Sequence, residues 1–572
     1  MSTSSGGSPL RPQTNECRLA LDLSGVWLFR LGADEGDGIG DDAEEPDWSG
    51  AVPVGVPGSW NDQVPGIRDE LGPAWYEHRF EVPPGVLPLG DRDAAIRFGS
   101  VCYAAQAWLN GQPLGGHVGG HLPFTLACSD ALREGENVLV VRVDGRLGRD
   151  QVPPGLVLPA NTHGRVFHPD VSYDFFPYAG IHRRVELVVT PLGGIHDVLL
   201  VAAADEDGAV VSVTVEAGEG DVTLALDGEP ISSSHRVGKS ALWSPSSPRL
   251  HRLEVELRRG GELVDRYVLR TGIRTVSVAG DQLLLNGEPV QLRGFGRHED
   301  FPVLGRGTAS ALNARDLLLM QQIGANSFRT AHYPCDEETL DIADQLGLMV
   351  IAETPAVGLY FADDDTPLRQ EQVQRSLAEM IARDRNRACV IAWSVANEPR
   401  MHHPAAAAAL GELCDAARAL DGTRPAGYAT DLPEAEGVGA SDVIFLNAYP
   451  GWYRNPGQLN AAGPALADAL DRLYERYGKP VVLTEFGADA LPGSHADPPA
   501  MWTEEYQAEL IERLLQVAGQ RHFVVGAHIW AFADFGTAQA DHRPASVNFK
   551  GVFTRDRQPK LAARRLRELW QQ

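Results

Sequence analysis

Residues 389–399 read CVIAWSVANEP and residues 480–487 read PVVLTEFG. Each is a short apolar run that ends on a polar turn carrying a glutamate. Runs without alternation fit strands buried on both faces, as in a parallel sheet sheathed by helices. Reading outward, six more runs share the pattern: VQLRGFGRH from Val290, ANSFRTAH from Ala325, GLMVIAET from Gly347, RPAGYAT from Arg424, VIFLNAYP from Val443 and VVGAHIWAF from Val524. Helical periodicity fills most of the gaps. Over 371–384 it sets Val373, Leu377 and Met380 on one face, and over 504–520 it does the same with Tyr506, Leu510, Leu514 and Val517. The alanine run 405–409 reads as the first half of another helix. Only the link from Thr430 to Val443 shows no clear helix. Eight strand–helix units within 275–572 predict a (β/α)8 TIM barrel, which takes about 250 residues.

Upstream the texture changes. Residues 19–191 hold short alternating runs broken by Gly, Pro and Asn, among them GVWLFR from Gly25, AAIRFGS from Ala94 and NVLVVRVDG from Asn137. Asn110-Gly111 between two such runs is a hairpin signal. This stretch predicts a jelly-roll β-sandwich. Residues 192–274, with AVVSVTVEAG, VTLALDG, RLHRLEVELR and DRYVLRTGIR, predict an immunoglobulin-like β-sandwich. Residues 1–18 read as a disordered leader. A multidomain chain is what 572 residues call for, since single cores stop growing well before that length.

The formal net charge is −27, from 77 acidic and 50 basic residues, so the field repels nucleic acid and anionic membrane. An anionic substrate would then need a local basic pocket. Six scattered cysteines form no zinc pattern and no disulfide framework. No apolar stretch nears the roughly 20 residues of a membrane span, and MSTSSGGSPLRPQTNE lacks a secretory signal's apolar segment. The expectation is a cytoplasmic protein; a homo-oligomer is compatible with these numbers. Gly36-x-Gly38-x-Gly40 has no strand-to-helix context for a nucleotide loop, and His402-His403 reads as a solvated helix start rather than a metal pair.

In such barrels the chemistry sits at the C-terminal ends of strands. Those ends carry His298, Glu299, Asp300, His332, Glu353, Asn397, Glu398, Asn447, Tyr449, Glu485, Trp530 and Asp534. Carboxylates, amides and aromatics around one mouth suit a sugar, whose hydroxyls need polar partners and whose ring faces need an aromatic floor. Hydrolysis of a glycosidic bond needs two carboxyl groups, one protonated and one ionised. Pattern alone leaves several pairs open among Glu299, Glu353, Glu398, Glu485 and Asp534, since a strand-end carboxylate can equally be a structural ion pair. Asn397-Glu398 stands out because an amide beside the acid can bond a sugar's 2-hydroxyl.

From LDLSGVWLFR at Leu21 to FTRDRQPK at Phe553 the chain resembles the β-glucuronidases of glycoside hydrolase family 2. The closest segments are GFGRHED, GANSFRTAHYP, WSVANEP, LNAYPGWY, TEFGAD and IWAFADF. The resemblance implies a retaining exo-glycosidase acting on terminal β-D-glucuronides, small molecules or oligosaccharides, with no metal and no cofactor. It implies Glu485 as nucleophile and Glu398 as acid/base, with Asn397 on the 2-hydroxyl and Tyr453 near the nucleophile. Asn447 and Tyr449 join them on the substrate side. It further implies that Asp174, in YDFFPYAGIHR of the first domain, reaches into the site to bond hydroxyls with His332, and that Trp530 forms part of the sugar platform. Asn548-Phe549-Lys550 matches the family's Asn-x-Lys grip on the C6 carboxylate, and Arg543 is placed near the same group, although one extra residue separates Arg543 from Asn548 here. A carboxylate entering a partly dry pocket needs such a cation.

A β-galactosidase of the same family would share the fold and both glutamates without the Asn-x-Lys element, and a β-galacturonidase would share even that. A non-catalytic carbohydrate-binding protein would be expected to lack one glutamate. The chain departs from the gut enzymes after Gly358, where LYFADDDTPLRQ is short and acidic. That predicts an open leaving-group side, with Asp363, Asp364 and Asp365 repelling anionic aglycones if the segment overhangs the mouth.

Overall fold

A computed structural model describes residues 9–32, 47–155 and 167–571. The eight predicted strands close into one parallel barrel. They are β1 (Leu292–Arg297), β2 (Ser327–Thr330), β3 (Met349–Glu353), β4 (Val390–Asn397), β5 (Ala426–Thr430), β6 (Ile444–Asn447), β7 (Val481–Glu485) and β8 (Val524–Ile529). β8 pairs with β1 in the register Leu292↔Gly526 and shuts the ring. The last seven strands are buried at every position, which is why they read as unbroken apolar runs. β1 and β2 approach so closely that a Cβ on Gly294 would overlap the Ser327 carbonyl.

Seven helices sheathe the barrel: α1 (Ser310–Gln322), α2 (Glu337–Leu346), α3 (Thr366–Asp384), α4 (Pro404–Leu420), α5 (Leu459–Tyr477), α6 (Glu504–Gly519) and α7 (Leu561–Trp570). Their starts follow ordinary capping chemistry. Thr503 accepts from the Tyr506 amide to open α6, and His403 accepts from the Ala405 amide to open α4. α3 begins five residues before the predicted face, with Pro367 in its first turn. Between β5 and β6 the described chain makes only the 3-10 turn Val438–Ala440.

The N-terminal domain packs a four-stranded against a six-stranded antiparallel sheet over Trp27, Phe29, Tyr76, Phe98, Val141 and Leu187. Its hairpin turns at Asn110-Gly111, both at positive φ (54° and 79°). The second domain is a smaller sandwich of three and four strands around Val198, Val211, Leu253 and Val255. Residues 9–18 are a correction to the leader. Leu10 enters the core of the second domain, and Arg18 makes a buried ion pair with Asp265 (2.6 Å), so burial and charge pairing order this segment. Residues 1–8 and the Gly36–Gly40 motif lie outside the described residues.

Candidate active site

One cavity of about 570 Å³ opens at the C-terminal mouth of the barrel. Asp174, His332, Asn397, Glu398, Asn447, Tyr449, Tyr453, Glu485, Trp530 and Asn548 all line it. Arg543 and Lys550, buried, stand behind its wall. The loop 172–175 of the first domain supplies Asp174 and Phe175, so two domains build the cavity.

At its floor Arg329, from β2, bridges β3 and β7. One guanidinium nitrogen bonds both oxygens of Glu353 (2.8 and 2.7 Å), and the other bonds Oε1 of Glu485. Burial pushes the Glu353 carboxyl up, but Arg329 and the His332 and Ser394 hydrogen bonds outweigh it and hold the group below its usual range. The Tyr449 hydroxyl donates to the other oxygen of Glu485 (2.6 Å). Burial first, then the Glu485 charge, raises Tyr449 well above the ordinary phenol value, so it remains a donor. Glu485 thus has a cation on one oxygen and a phenol on the other, an environment for an ionised carboxylate.

Glu398 follows β4 at φ 42° and lines the cavity. The Asn447 amide donates to Glu398 Oε1 (2.8 Å) and to Asn397 Oδ1 (3.1 Å), and is itself fixed by the Thr484 hydroxyl (2.8 Å). Burial, then the negative charges of Asp431 and Glu485, lift the Glu398 carboxyl well above its ordinary value. The cavity therefore sets a carboxyl that burial and neighbouring charge push up against one bonded by a cation and a phenol.

Beside them Trp530 stacks on the His332 ring (4.8 Å, 15° between planes), and His332 Nδ1 is held by Glu353 (2.8 Å). Farther along the wall lies a charge cluster. Arg543 bonds Asp174 (2.9 Å to Oδ1) and reaches Asp489 at 3.4 Å. Asn548 donates to Asp174 (3.2 Å). The Lys550 ammonium bonds Asp489 and the Tyr453 hydroxyl (3.0 Å) and lies over the Tyr453 ring at 4.8 Å.

The structure sorts the expected residues by what they touch. Tyr449, not Tyr453, touches Glu485; Tyr453 lies one turn later and bonds Lys550 and Arg543. Asp174 and His332 both line the cavity, where Arg543 and Glu353 hold them. Glu299 is spent on Arg183 (3.1 Å) and the Asp336 amide, and Asp534 on Lys560 (2.7 Å). These carboxylates and Glu353 are structural, which leaves Glu398 and Glu485 as the facing pair. Asp363 is bound by Arg369 and Thr366, and Asp363 and Asp365 both lie near Arg149 (3.5 and 3.6 Å); none of the three aspartates lines the cavity. Asp431, just past β5, does line it and was missed because no strand end was read for β5. Arg329 and Asp489 were missed too. A charge inside the apolar run ANSFRTAH was the available signal for the first.

Models of glycosyl hydrolases family 2 match nearly the whole chain: the sugar binding domain over 21–191, the central domain over 197–274 and the TIM barrel domain over 276–572. A beta-glucuronidase from Paenibacillus borealis is 39% identical, with 98% of each chain covered. The Homo sapiens beta-glucuronidase is 34% identical over 98% of this chain and 92% of its own. Among solved structures, the Ruminococcus gnavus β-glucuronidase in complex with D-glucaro-d-lactam superposes with a TM-score of 0.91 at 34% identity, covering 99% and 100% of the two chains. The Bifidobacterium dentium enzyme complexed with coumarin-3-O-glucuronide gives 0.91 at 35%, covering 98% of each.

Proposed function

The chain belongs to glycosyl hydrolase family 2, and from that premise we propose that it is a retaining β-glucuronidase in which Glu485 attacks and Glu398 moves the proton. The observation that carries the assignment of roles is the contrast between two glutamates lining one cavity: Glu485 lies between the Arg329 guanidinium and the Tyr449 hydroxyl, whereas Glu398 is bonded by the neutral Asn447 amide and, among the described residues, has no cation in contact. In the first step the Glu485 carboxylate bonds to the anomeric carbon as Glu398 gives its proton to the glycosidic oxygen, and the aglycone leaves with that proton. The ester at Glu485 carries no charge. One of the repulsions that kept Glu398 protonated is then gone, and Glu398 is ready to take a proton from the water that attacks the ester. Water's oxygen ends on the anomeric carbon with the configuration retained.

Terminal β-D-glucuronate is the glycone in this reading. Arg543 and Lys550 supply buried cations next to Asn548, and a uronate is the sugar that gains from them. A neutral hexose would not. The roles are tested with 2-fluoro-β-D-glucuronyl fluoride, which should trap the ester on the peptide containing Glu485, with the β-anomer as first product by NMR. Label on Glu398, or inversion, would overturn the assignment.

A further inference from the structure

The cavity does not end at the two glutamates. Beyond Glu398 it continues over Asp431, Arg454 and the flank of α5, where Ala465, Leu466 and Ala469 give a low apolar floor. The β3–α3 segment contributes nothing past Gly358 to cover this side.

We propose that this extension is a leaving-group subsite built for a hydroxyl-rich aglycone, a second sugar, with Asp431 and Arg454 as its specificity-determining residues. The inference rests on the glucuronidase reading and adds the class of aglycone.

Three observations carry it. The first is placement. The Glu398 amide donates to the Ala429 carbonyl (2.9 Å), so β5 is tied to the acid, and Asp431 follows two residues later on the lining of the same cavity. The second is that neither charge is in direct contact with a partner. Among the described residues no ion pair or side-chain hydrogen bond to another residue holds Asp431 or the Arg454 guanidinium, although Arg454 and His402 lie near enough to draw the Asp431 value down against burial. Asp468 and Arg472, which also line the cavity, are by contrast paired at 2.9 Å. Arg400, close to Asp431, keeps two buried guanidinium nitrogens without acceptors. The third is shape. A sugar lays a C–H face on Ala465, Leu466 and Ala469 while its hydroxyls donate to a carboxylate and accept from a guanidinium. A flat phenol offers neither bond.

The groups facing Asp431 are Glu398 and Glu485 from the catalytic floor, Arg400 and His402 after β4, and Arg454 after β6. Asp431 is pushed up by burial and by Glu485, and its charge helps to keep Glu398 protonated. Removing that charge lowers the Glu398 value, so the alkaline limb of the rate profile moves to lower pH.

The experiment compares wild type with Asp431→Asn and Asp431→Ala on phenyl β-D-glucuronide and on a disaccharide with glucuronate β-linked to a hexose. At a pH on the plateau for each enzyme, the loss in kcat/KM should be at least about tenfold larger on the disaccharide than on the phenyl substrate. The alkaline limb should move down in Asp431→Asn, a change that a purely structural residue would not produce. Equal losses on both substrates, no loss, or an unmoved limb would overturn the subsite. A wild type that cleaves neither glucuronide would defeat the glycone reading itself, and the subsite with it. Wild-type cleavage with equal losses defeats the subsite alone.

Discussion

At Lys550 the ammonium already has a counter-ion. It is 1% exposed and bonded to Asp489, itself at 0%. Lys550→Ala therefore removes a uronate partner and strands a buried carboxylate together. The expected loss on glucuronides is about 2–5 kcal/mol, while any slow hydrolysis of neutral β-glucosides should not fall. The second change Asp489→Asn removes the stranded charge, so the double variant should regain melting temperature without regaining glucuronide hydrolysis. Equal losses on glucuronide and glucoside would make Lys550 a wall residue only. At this scale the two glutamates were legible only as members of a set, since Glu299, Glu353 and Asp534 also end apolar runs at the barrel mouth; the family resemblance, not the pattern, singled out the pair. Tyr449 and Tyr453 were not separable, since both are aromatic, one turn apart, and only the fold decides which reaches Glu485. Asp489 was equally hidden, because its importance lies wholly in partners 54 and 61 residues away.

Among the elements, the barrel strands were the most readable, because burial on both faces leaves no alternation to confuse with a sandwich strand. The β5–β6 connection was the least readable, for the physical reason that its described chain holds a 3-10 turn where the pattern calls for a helix. The Asn110-Gly111 hairpin shows a local signal surviving into the fold intact. Asn110 sits at φ 54° and its side chain also bonds Asn137 (2.8 Å), the Ala131 carbonyl (2.9 Å) and the Val138 amide (2.9 Å). Asn110→Ala should lower the stability of the first domain by about 2–3 kcal/mol, from the positive φ and the lost bonds. Asn110→Gly, which tolerates that φ, should cost less. Denaturant unfolding measures both, and kcat at 25 °C should stay at the wild-type level; an equal cost for the two would show that backbone conformation contributes nothing there.

Across the whole molecule the domains are joined by buried ion pairs rather than by apolar surface alone. Arg97 of the first domain bonds Glu337 at the start of α2 (2.6 Å), and Arg183 bonds Glu299 (3.1 Å). Burial pushes Glu337 up, but Arg97, Arg383 and Arg11 outweigh it and hold the carboxyl far below its usual range. A depressed folded value means that the stabilisation is fully present above the unfolded value, about pH 4.3, and is lost as pH falls toward the folded one. Glu337→Gln should therefore lower stability by about 3–5 kcal/mol near neutrality. The melting curves of variant and wild type should converge as the pH is taken well below 4; a gap that persists undiminished in acid would show that the pair is not what is lost. The extent of this docking was not legible, because each partner lies in a different domain and neither segment signals the other. The clasp between Asp174 of the first domain and Arg543 of the barrel carries this coupling into heredity. A genetic crossover near residue 191 that joined the front of one relative to the back of another would exchange part of the sugar's wall along with the sandwich. Such a hybrid inherits a lock cut by two locksmiths, so the domains of this protein are expected to vary in concert, and shuffled chimeras should fail at binding before they fail at folding.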